Sequence, residues 1–159
     1  MKITILCVGR LKEKYYKDAV AEYAKRLSVY CKLEVIEVPD ERTRENMSRA
    51  EMEILLGKEG QRLLQKLPEH SYAAALCIEG EQRDSMELAQ WLEGMMSRGI
   101  SHLTLIIGGS CGLDKSVTRL VQEKISFSRL TFPHQLMRVI LLEQLYRSFR
   151  ILKGQPYHK

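Results

Sequence analysis

The chain has 159 residues, 45% of them hydrophobic, which accommodates one domain with a sizeable core but not two. Neither a run of 18 apolar residues nor the pattern of a secretory signal occurs, so we expect a cytoplasmic protein that does not span a membrane. The four cysteines lack metal-ligand spacing, so no metal site is expected, and the formal net charge of +5 is compatible with an anionic partner.

Strands and helices are predicted in strict alternation along the chain. Short apolar or alternating runs predict strands, and apolar residues recurring every three or four positions predict helices. In chain order the predictions are a strand at 2–8, a helix from 11 to about 30, a strand at 32–38, a helix at 46–67 capped by Asn46 or Ser48, a strand at 72–78 with a tight exit at Glu79-Gly80-Glu81, a helix capped at Asp84 or Ser85 and running to 98, a strand at 102–108, a short helix at about 114–121, a strand at 124–128 and a last helix from Pro133 to about 153.

This alternation predicts the fold class. Strands that alternate with helices form an α/β domain with a mostly parallel sheet and helices on both faces. Parallel sheets of this kind bind ligands at the carboxyl ends of their strands. Three such ends are predicted here, at residues 76–81, 108–113 and 127–132.

The last predicted helix has apolar residues on more than one face between Leu136 and Leu152. A surface helix of a small monomer needs one apolar stripe about 100° wide. We therefore expect one face to pack on the sheet and another on a second subunit. A helix packed deeply within one chain is the alternative. The remaining polar face carries Glu143, Arg147 and Arg150.

The excess positive charge is confined to the last quarter of the chain. Between Arg119 and Lys159, eight Lys and Arg residues accompany two Glu residues, a net charge of +6, whereas the other 118 residues carry a net charge of −1. This asymmetry favours a polyanionic partner such as nucleic acid. A solvated basic helix face is the alternative.

The segment LIIGGSCGLDKS, residues 105–116, has the pattern of a buried strand, a glycine turn and the start of a helix. Such an arrangement often binds a nucleotide, but the spacing fits neither familiar motif. Leu113 stands where a P-loop needs its second glycine, and Ser110 stands at the second glycine of the dinucleotide fingerprint. Because a glycine pair also ends many strands, both a ligand-binding and a purely structural role stay open.

Longer motifs resemble those of the RlmH family of SPOUT-class methyltransferases. The resemblance spans the whole chain and includes MKITILCVGRLKEKYY, KEGQRLL, LCIEGEQRDSMELAQWL, IIGGSCGL and the stretch from SFSRLTFPHQ to the terminal YHK. It implies transfer of a methyl group from S-adenosylmethionine to N3 of a pseudouridine in 23S rRNA of the large ribosomal subunit. It also implies a homodimer and a single SPOUT domain over residues 1–159, with a trefoil knot over about 72–159.

The resemblance further implies a cofactor site, which falls on the three strand ends selected above. Backbone groups and apolar walls hold an adenine ring, and S-adenosylmethionine has no phosphate, so a P-loop lysine is not needed. The implied cofactor residues are Leu76, Gly108, Phe127, Ser128, Arg129, Leu130, Thr131 and Phe132. Cys111 lies within this loop and is interpreted as tolerated rather than catalytic.

For the transfer itself, the resemblance places the chain's tail in the active site. His158 is the candidate for removing the N3 proton, Tyr157 for stacking on the base, and Lys159 with its carboxylate for orienting the substrate. Arg147, with Arg150, would bind rRNA phosphates or polarise the uracil carbonyls, unless Glu143 pairs with Arg147. Among the other histidines, we interpret His134 as a packing or capping group.

The substrate is expected to be the assembled large subunit or ribosome rather than naked rRNA. A local excess of six charges is small for holding a flexible polyanion without a separate RNA-binding domain.

Two other functions stay open. One is a SPOUT methyltransferase acting on another rRNA or tRNA site, and the other is a non-enzymatic, ribosome-associated binding protein.

Overall fold

The computed structural model describes residues 1–156, which form one α/β domain of five strands and five helices. The alternation predicted from the sequence is confirmed. In chain order the elements are β1 (Lys2–Val8), α1 (Lys14–Leu27), β2 (Lys32–Val38), α2 (Arg49–Lys66), β3 (Tyr72–Gln82), α3 (Ser85–Ser97), β4 (His102–Ile107), α4 (Lys115–Leu120), β5 (Glu123–Ser126) and α5 (His134–Leu152).

The sheet has the strand order β2-β1-β4-β3-β5, and its neighbouring strands are parallel. Parallel neighbours require a long crossover, and the intervening helices supply it. The register of β1 with β2 is unbroken from Lys2 opposite Lys32 to Val8 opposite Val38. The carboxyl ends of all five strands therefore lie along one edge.

Helices cover both faces of the sheet, as the sequence predicts. Alternate side chains of β1 point to opposite sides, which divides the core into two clusters. Ile3, Ile5 and Cys7 pack with residues of α1, α3 and α5, whereas Leu6 and Val8 pack with residues of α2 and α4. The structure thus has three layers with the sheet in the middle.

Two helix starts are set by hydrogen bonds that the sequence pattern does not show. The α2 helix begins after Ser48, whose hydroxyl accepts from the Glu51 N–H at 3.2 Å while the Glu51 carboxylate accepts from the Ser48 N–H. Asn46, the other candidate cap, has a φ of 61° and lies outside the helix. The α1 helix begins at Lys14, later than predicted, and the Leu11 N–H ahead of it donates to Glu37 of β2.

The predicted exit from the third strand at residues 79–81 is wrong. Strand β3 continues to Gln82, and Ile125 of β5 lies opposite both Leu76 and Glu81. Residues 77–80 are therefore an insertion in the ladder, which acts as a large bulge. Gly80 closes this bulge, since a Cβ there would lie 2.6 Å from the Ile125 nitrogen and collide with the β5 backbone.

The α5 helix lies between α1 and α3, and its buried stripe includes Leu141, Leu142, Leu145 and Phe149. A second set of apolar residues on this helix keeps partial exposure: Leu136, Val139, Ile140, Ile151 and Leu152. One chain therefore leaves this face incompletely covered, and its packing on a second subunit stays a prediction. Within residues 1–156 no helix is long and apolar enough to cross a membrane.

Candidate active site

An open crevice of about 990 Å³ lies toward the carboxyl edge of the sheet, beside the bulge of β3 and the ends of β4 and β5. Its volume is in the range of small-molecule sites. The lining comes mainly from residues 76–79, 107–113 and 125–134. They overlap the three segments that the sequence predicted as strand ends; two of these follow β4 and β5, and the first is the bulge within β3.

Seven of the eight predicted cofactor residues line this crevice. They are Leu76, Gly108, Phe127, Ser128, Leu130, Thr131 and Phe132. Arg129 is exposed and is not among the lining residues. The structure thus brings together residues that are about 50 positions apart in the chain, although their contact with a cofactor stays a prediction.

The bulge in β3 forms one wall of the crevice. Ile78 projects from it with 48% of its surface exposed, and Leu130 of the loop after β5 is 70% exposed. Both side chains line the crevice. Exposed apolar groups that converge on one concavity are typical of a ligand-binding surface.

The glycine loop after β4 forms the opposite wall. The loop folds back on itself, with the Gly112 N–H donating to the Gly109 carbonyl at 3.1 Å. A Cβ on Gly108 would lie 2.6 Å from the Gly112 carbonyl carbon, and Gly112 has a φ of 91°. Both positions therefore need glycine, and the wall presents mostly backbone N–H and C=O groups. Asp114 then caps α4, accepting from the Ser116 N–H at 2.8 Å.

A family model described as "Predicted SPOUT methyltransferase" matches residues 1–158. The chain belongs to the SPOUT methyltransferase family. It is 53% identical over 159 residues to the ribosomal RNA large subunit methyltransferase H of Bacillus thuringiensis subsp. konkukian (strain 97-27), with all of both chains covered. It is 50% identical, again over the whole of both chains, to the protein of the same name from Limosilactobacillus reuteri (strain DSM 20016).

Two solved structures share the fold of this SPOUT methyltransferase. A probable methylase family protein from Haemophilus influenzae Rd KW20 superposes with a TM-score of 0.57 over 99% of this chain and 70% of its own, at 8% identity. A probable methyltransferase from Bordetella pertussis Tohama I gives a TM-score of 0.53 over 92% of this chain and 95% of its own, at 11% identity. At these identities the likeness concerns the fold alone.

The crevice of this SPOUT methyltransferase contains thiols and an imidazole that are uncharged at neutral pH. Burial raises the pKa of the Cys77 and Cys111 thiols, and Glu79 and Glu59 respectively add to the effect. Protonated thiols are poor nucleophiles, which favours the interpretation of Cys111 as tolerated. Burial, followed by the positive charge of Arg138, lowers the pKa of His134.

Within residues 1–156 no cluster of His, Cys, Asp or Glu side chains could hold a metal ion.

One chain does not bring Arg147 to the crevice. Arg147 donates to Glu143 at 2.6 Å, which confirms the ion pair considered from the sequence. It lies ten residues after Met137, which lines the crevice on α5, about 15 Å along the helix axis, and it does not line the crevice itself. His158, Tyr157 and Lys159 lie outside the described residues.

Sequence reasoning missed two buried charged residues beside this site. The Arg138 side chain is 1% exposed and donates to the Val8 carbonyl at 2.8 Å, the Gly9 carbonyl at 2.6 Å and the Glu37 carboxylate at 2.6 Å. It thereby fastens α5 to the end of β1. Its position between apolar residues in LMRVILL was an available signal.

The second missed residue is Glu59 of α2, which is 3% exposed. It lies four positions from both Leu55 and Leu63, which are buried on the same helix face. A charged residue in register with two buried leucines was the signal that could have identified it.

Proposed function

We propose that the protein transfers a methyl group from S-adenosylmethionine to N3 of a pseudouridine in 23S rRNA of the large ribosomal subunit. The observation that carries the proposal is the crevice, whose three segments contain seven of the eight cofactor residues implied by the family resemblance. Full-length relatives at 50 to 53% identity, named for methylation of large-subunit rRNA, support the substrate class.

The crevice has the chemistry that this methyl donor needs. Leu76, Ile78 and Phe127 offer apolar surface for the adenine ring, and the glycine loop offers backbone hydrogen-bonding groups. Lys115 and Lys124 supply positive charge for the carboxylate of the donor, and Glu79 supplies negative charge for its ammonium group. When bound, the donor provides an electrophilic methyl group on a sulfonium.

Catalysis by this chain would rest on positioning and on one proton transfer. Methyl transfer is an in-line displacement, so fixing the two reactants at the right distance supplies much of the rate. The N3 proton must leave, and His158 is the proposed acceptor, with Tyr157 stacking on the base. Arg147 would bind a phosphate or a uracil carbonyl once it is freed from Glu143.

The position of Arg147 leads to a second part of the proposal. Because Arg147 is about 15 Å along α5 from the crevice of its own chain, it would serve the crevice of a partner. We propose a homodimer that buries the incompletely covered apolar face of α5, with a trefoil knot over residues 72–159. The protein would act in the cytoplasm, on large subunits or whole ribosomes.

The activity is tested with purified protein, methyl-labelled S-adenosylmethionine, and large subunits or free 23S rRNA from cells that lack the modification. Nucleoside mass spectrometry should find 3-methylpseudouridine after reaction with large subunits and little after reaction with free rRNA. A different methylated nucleoside would indicate another SPOUT activity. Binding to ribosomes without any methylation would indicate the non-enzymatic alternative.

The shared site is tested by mixing two inactive variants. Gly108→Val blocks the crevice and Arg147→Ala removes the guanidinium group, so each homodimer should be inactive. A mixed dimer would contain one intact site, and statistical subunit exchange should restore about one quarter of wild-type activity. A mixture as inactive as its components, or a protein that sediments as a monomer at micromolar concentration, would contradict the shared site.

A further inference from the structure

The segment KEGQRLL, residues 58–64, forms the outer support of the glycine loop, and the proposed chemistry does not use it. Glu59 and Gly60 of α2 face this loop. A Cβ on Gly60 would lie 2.7 Å from the Asp114 Cβ, so the helix and the end of the loop approach as closely as a glycine allows. Glu59 lies beside this contact and is 3% exposed.

The carboxyl group of Glu59 lies between two loops. Its Oε1 atom accepts from the Glu41 N–H, in the loop after β2, at 2.8 Å. Its Oε2 atom has no hydrogen-bond partner among residues 1–156 and lies 3.0 Å from the point where a Cβ on Gly109 would stand. Gly109 lines the crevice, so the carboxyl group lies directly behind the crevice wall.

This arrangement is costly for stability alone. Burying a carboxyl group with one oxygen unsatisfied opposes folding, and a leucine would continue the apolar face of Leu55 and Leu63. Arg62 lies nearby, but its guanidinium bonds the Pro39 carbonyl at 3.0 Å and the Glu41 carboxylate at 2.5 Å. Within residues 1–156 Glu59 forms no ion pair of its own. Burial raises its pKa and the charge of Asp40 adds to this, while the hydrogen bond from the Glu41 N–H and the charge of Arg62 act in the opposite direction.

Gly109 lies close to the Glu59 carboxyl group because it has no side chain. A methyl group at position 109 would also lie 3.0 Å from Val8 Cγ1, so a side chain there would push the loop against both β1 and α2. By contrast, Gly57 of the same helix has open space around it. The close approach thus occurs where α2 meets the cofactor loop.

We propose that Glu59 is a positioning residue whose carboxyl group fixes the Gly109 backbone, and with it the crevice wall, to the loop after β2. The identity of the ligand held by that wall rests on the proposed function. Loss of the carboxyl group would free the wall on its outer side and leave the Glu41 N–H without its acceptor. The methyl donor would then bind a wall that is no longer preorganised.

The test measures the Kd for S-adenosylmethionine by calorimetry and the KM and kcat for methyl transfer in matched variants. Glu59→Ala should raise the Kd and the KM for the methyl donor by about tenfold or more while the protein remains folded. Glu59→Gln keeps the shape and an acceptor oxygen, so it should restore both values to within about threefold of wild type. Glu53→Ala, an exposed glutamate on the same helix, is the control and should change neither.

A second comparison uses the loop itself. Gly109→Ala should weaken donor binding, and its effect should not add to that of Glu59→Ala, because residues in contact couple in a double-mutant cycle. Additive effects, or a folded Glu59→Ala variant with wild-type Kd, would overturn the proposal.

If the alanine variant does not fold, Glu59→Asp is tested instead, since the shorter side chain cannot reach both loops. A folded aspartate variant with raised Kd supports the proposal, and one with wild-type Kd refutes it. If wild-type protein itself does not bind the donor, the proposed function fails instead.

Discussion

The two halves of the sheet differ in how their strands end. In the half formed by β2 and β1, the register is unbroken, and the strand ends are occupied by the protein's own groups. Arg138 binds the carbonyls of Val8 and Gly9, and Glu37 binds Arg138 in turn. In the half formed by β4, β3 and β5, residues 77–80 interrupt the register of β3 with β5, and the crevice opens along this bulge and after the ends of β4 and β5.

Along this edge of the sheet, one half therefore stabilises the fold and the other half is available to contact a ligand. Carbonyl groups that are satisfied by a buried arginine cannot bind a ligand, so the regular half fixes the scaffold. The interrupted half leaves backbone groups and apolar side chains free to contact a small molecule. Substitutions in the first half should therefore change mainly the free energy of unfolding, and those in the second half should also change ligand affinity.

The largest loss of stability is expected from Arg138→Met. The substitution leaves two carbonyls without their donor and Glu37 without its ion-pair partner, and breaking a buried pair costs about 3 kcal/mol where one partner keeps some exposure. Denaturant unfolding should show this loss. Under conditions where the variant is folded, its Kd for S-adenosylmethionine should stay near the wild-type value. A Kd raised tenfold in folded protein would remove the separation between the two halves.

Gly80→Ala should act on both properties, because it collides with the β5 backbone where the register is interrupted. Overpacking of this kind costs about 1–3 kcal/mol, and the displaced bulge should weaken donor binding by at least about tenfold. Gly94→Ala in α3, where a Cβ has open space, is the matched control and should leave binding unchanged. Unaltered affinity in folded Gly80→Ala would contradict the role of the bulge as a crevice wall.

The role of Glu59 behind the crevice wall can also be tested through the pH dependence of the free energy of unfolding. Its folded-state pKa is raised above the ordinary value of 4.5, so the folded protein retains a proton that the unfolded chain has lost. The free energy of unfolding should consequently fall as the pH rises from about 4.5 through the raised pKa. Glu59→Gln should remove this part of the dependence, as measured by denaturant unfolding across that range. Identical pH profiles for the two proteins would show that Glu59 does not titrate differently on folding.

The smallest effect is expected from a pair of glycines on α2. Gly57→Ala places a methyl group in open space on a helix and should stabilise the protein by up to about 1 kcal/mol. Gly60→Ala has the same helical benefit but collides with Asp114 at the glycine loop, so it should destabilise the protein and weaken donor binding. Equal thermal shifts for the two variants would show that α2 does not support the loop.

The sequence predicted the regular half of the sheet better than the interrupted half, for a physical reason. Alternation and helical periodicity are local, so the order of strands and helices could be read from short windows, with Ser48 as one of two candidate caps. The continuation of β3 after the bulge depends on the contact of Gly80 with Ile125, which is 45 positions away in the chain. A Gly between two Glu residues reads locally as a turn.

The candidate site shows the same division. Its strand ends could be selected because ligands of parallel sheets bind there, and the family resemblance added the individual residues. Glu59 could not be assigned a role, since nothing local shows that α2 packs behind the glycine loop. Arg147 was placed in the site by resemblance, yet its distance from the crevice along α5 becomes evident only in three dimensions.

The most direct test of the crevice as the methyl-donor site is amide hydrogen exchange, followed by mass spectrometry with and without S-adenosylmethionine. Donor binding should slow exchange in peptides that cover residues 76–80, 107–113 and 125–133. Exchange in α1 and β2 should be unchanged, because the regular half does not contact the ligand. Unchanged exchange in all three crevice segments at saturating donor, or protection centred on the ends of β1 and β2, would contradict the account.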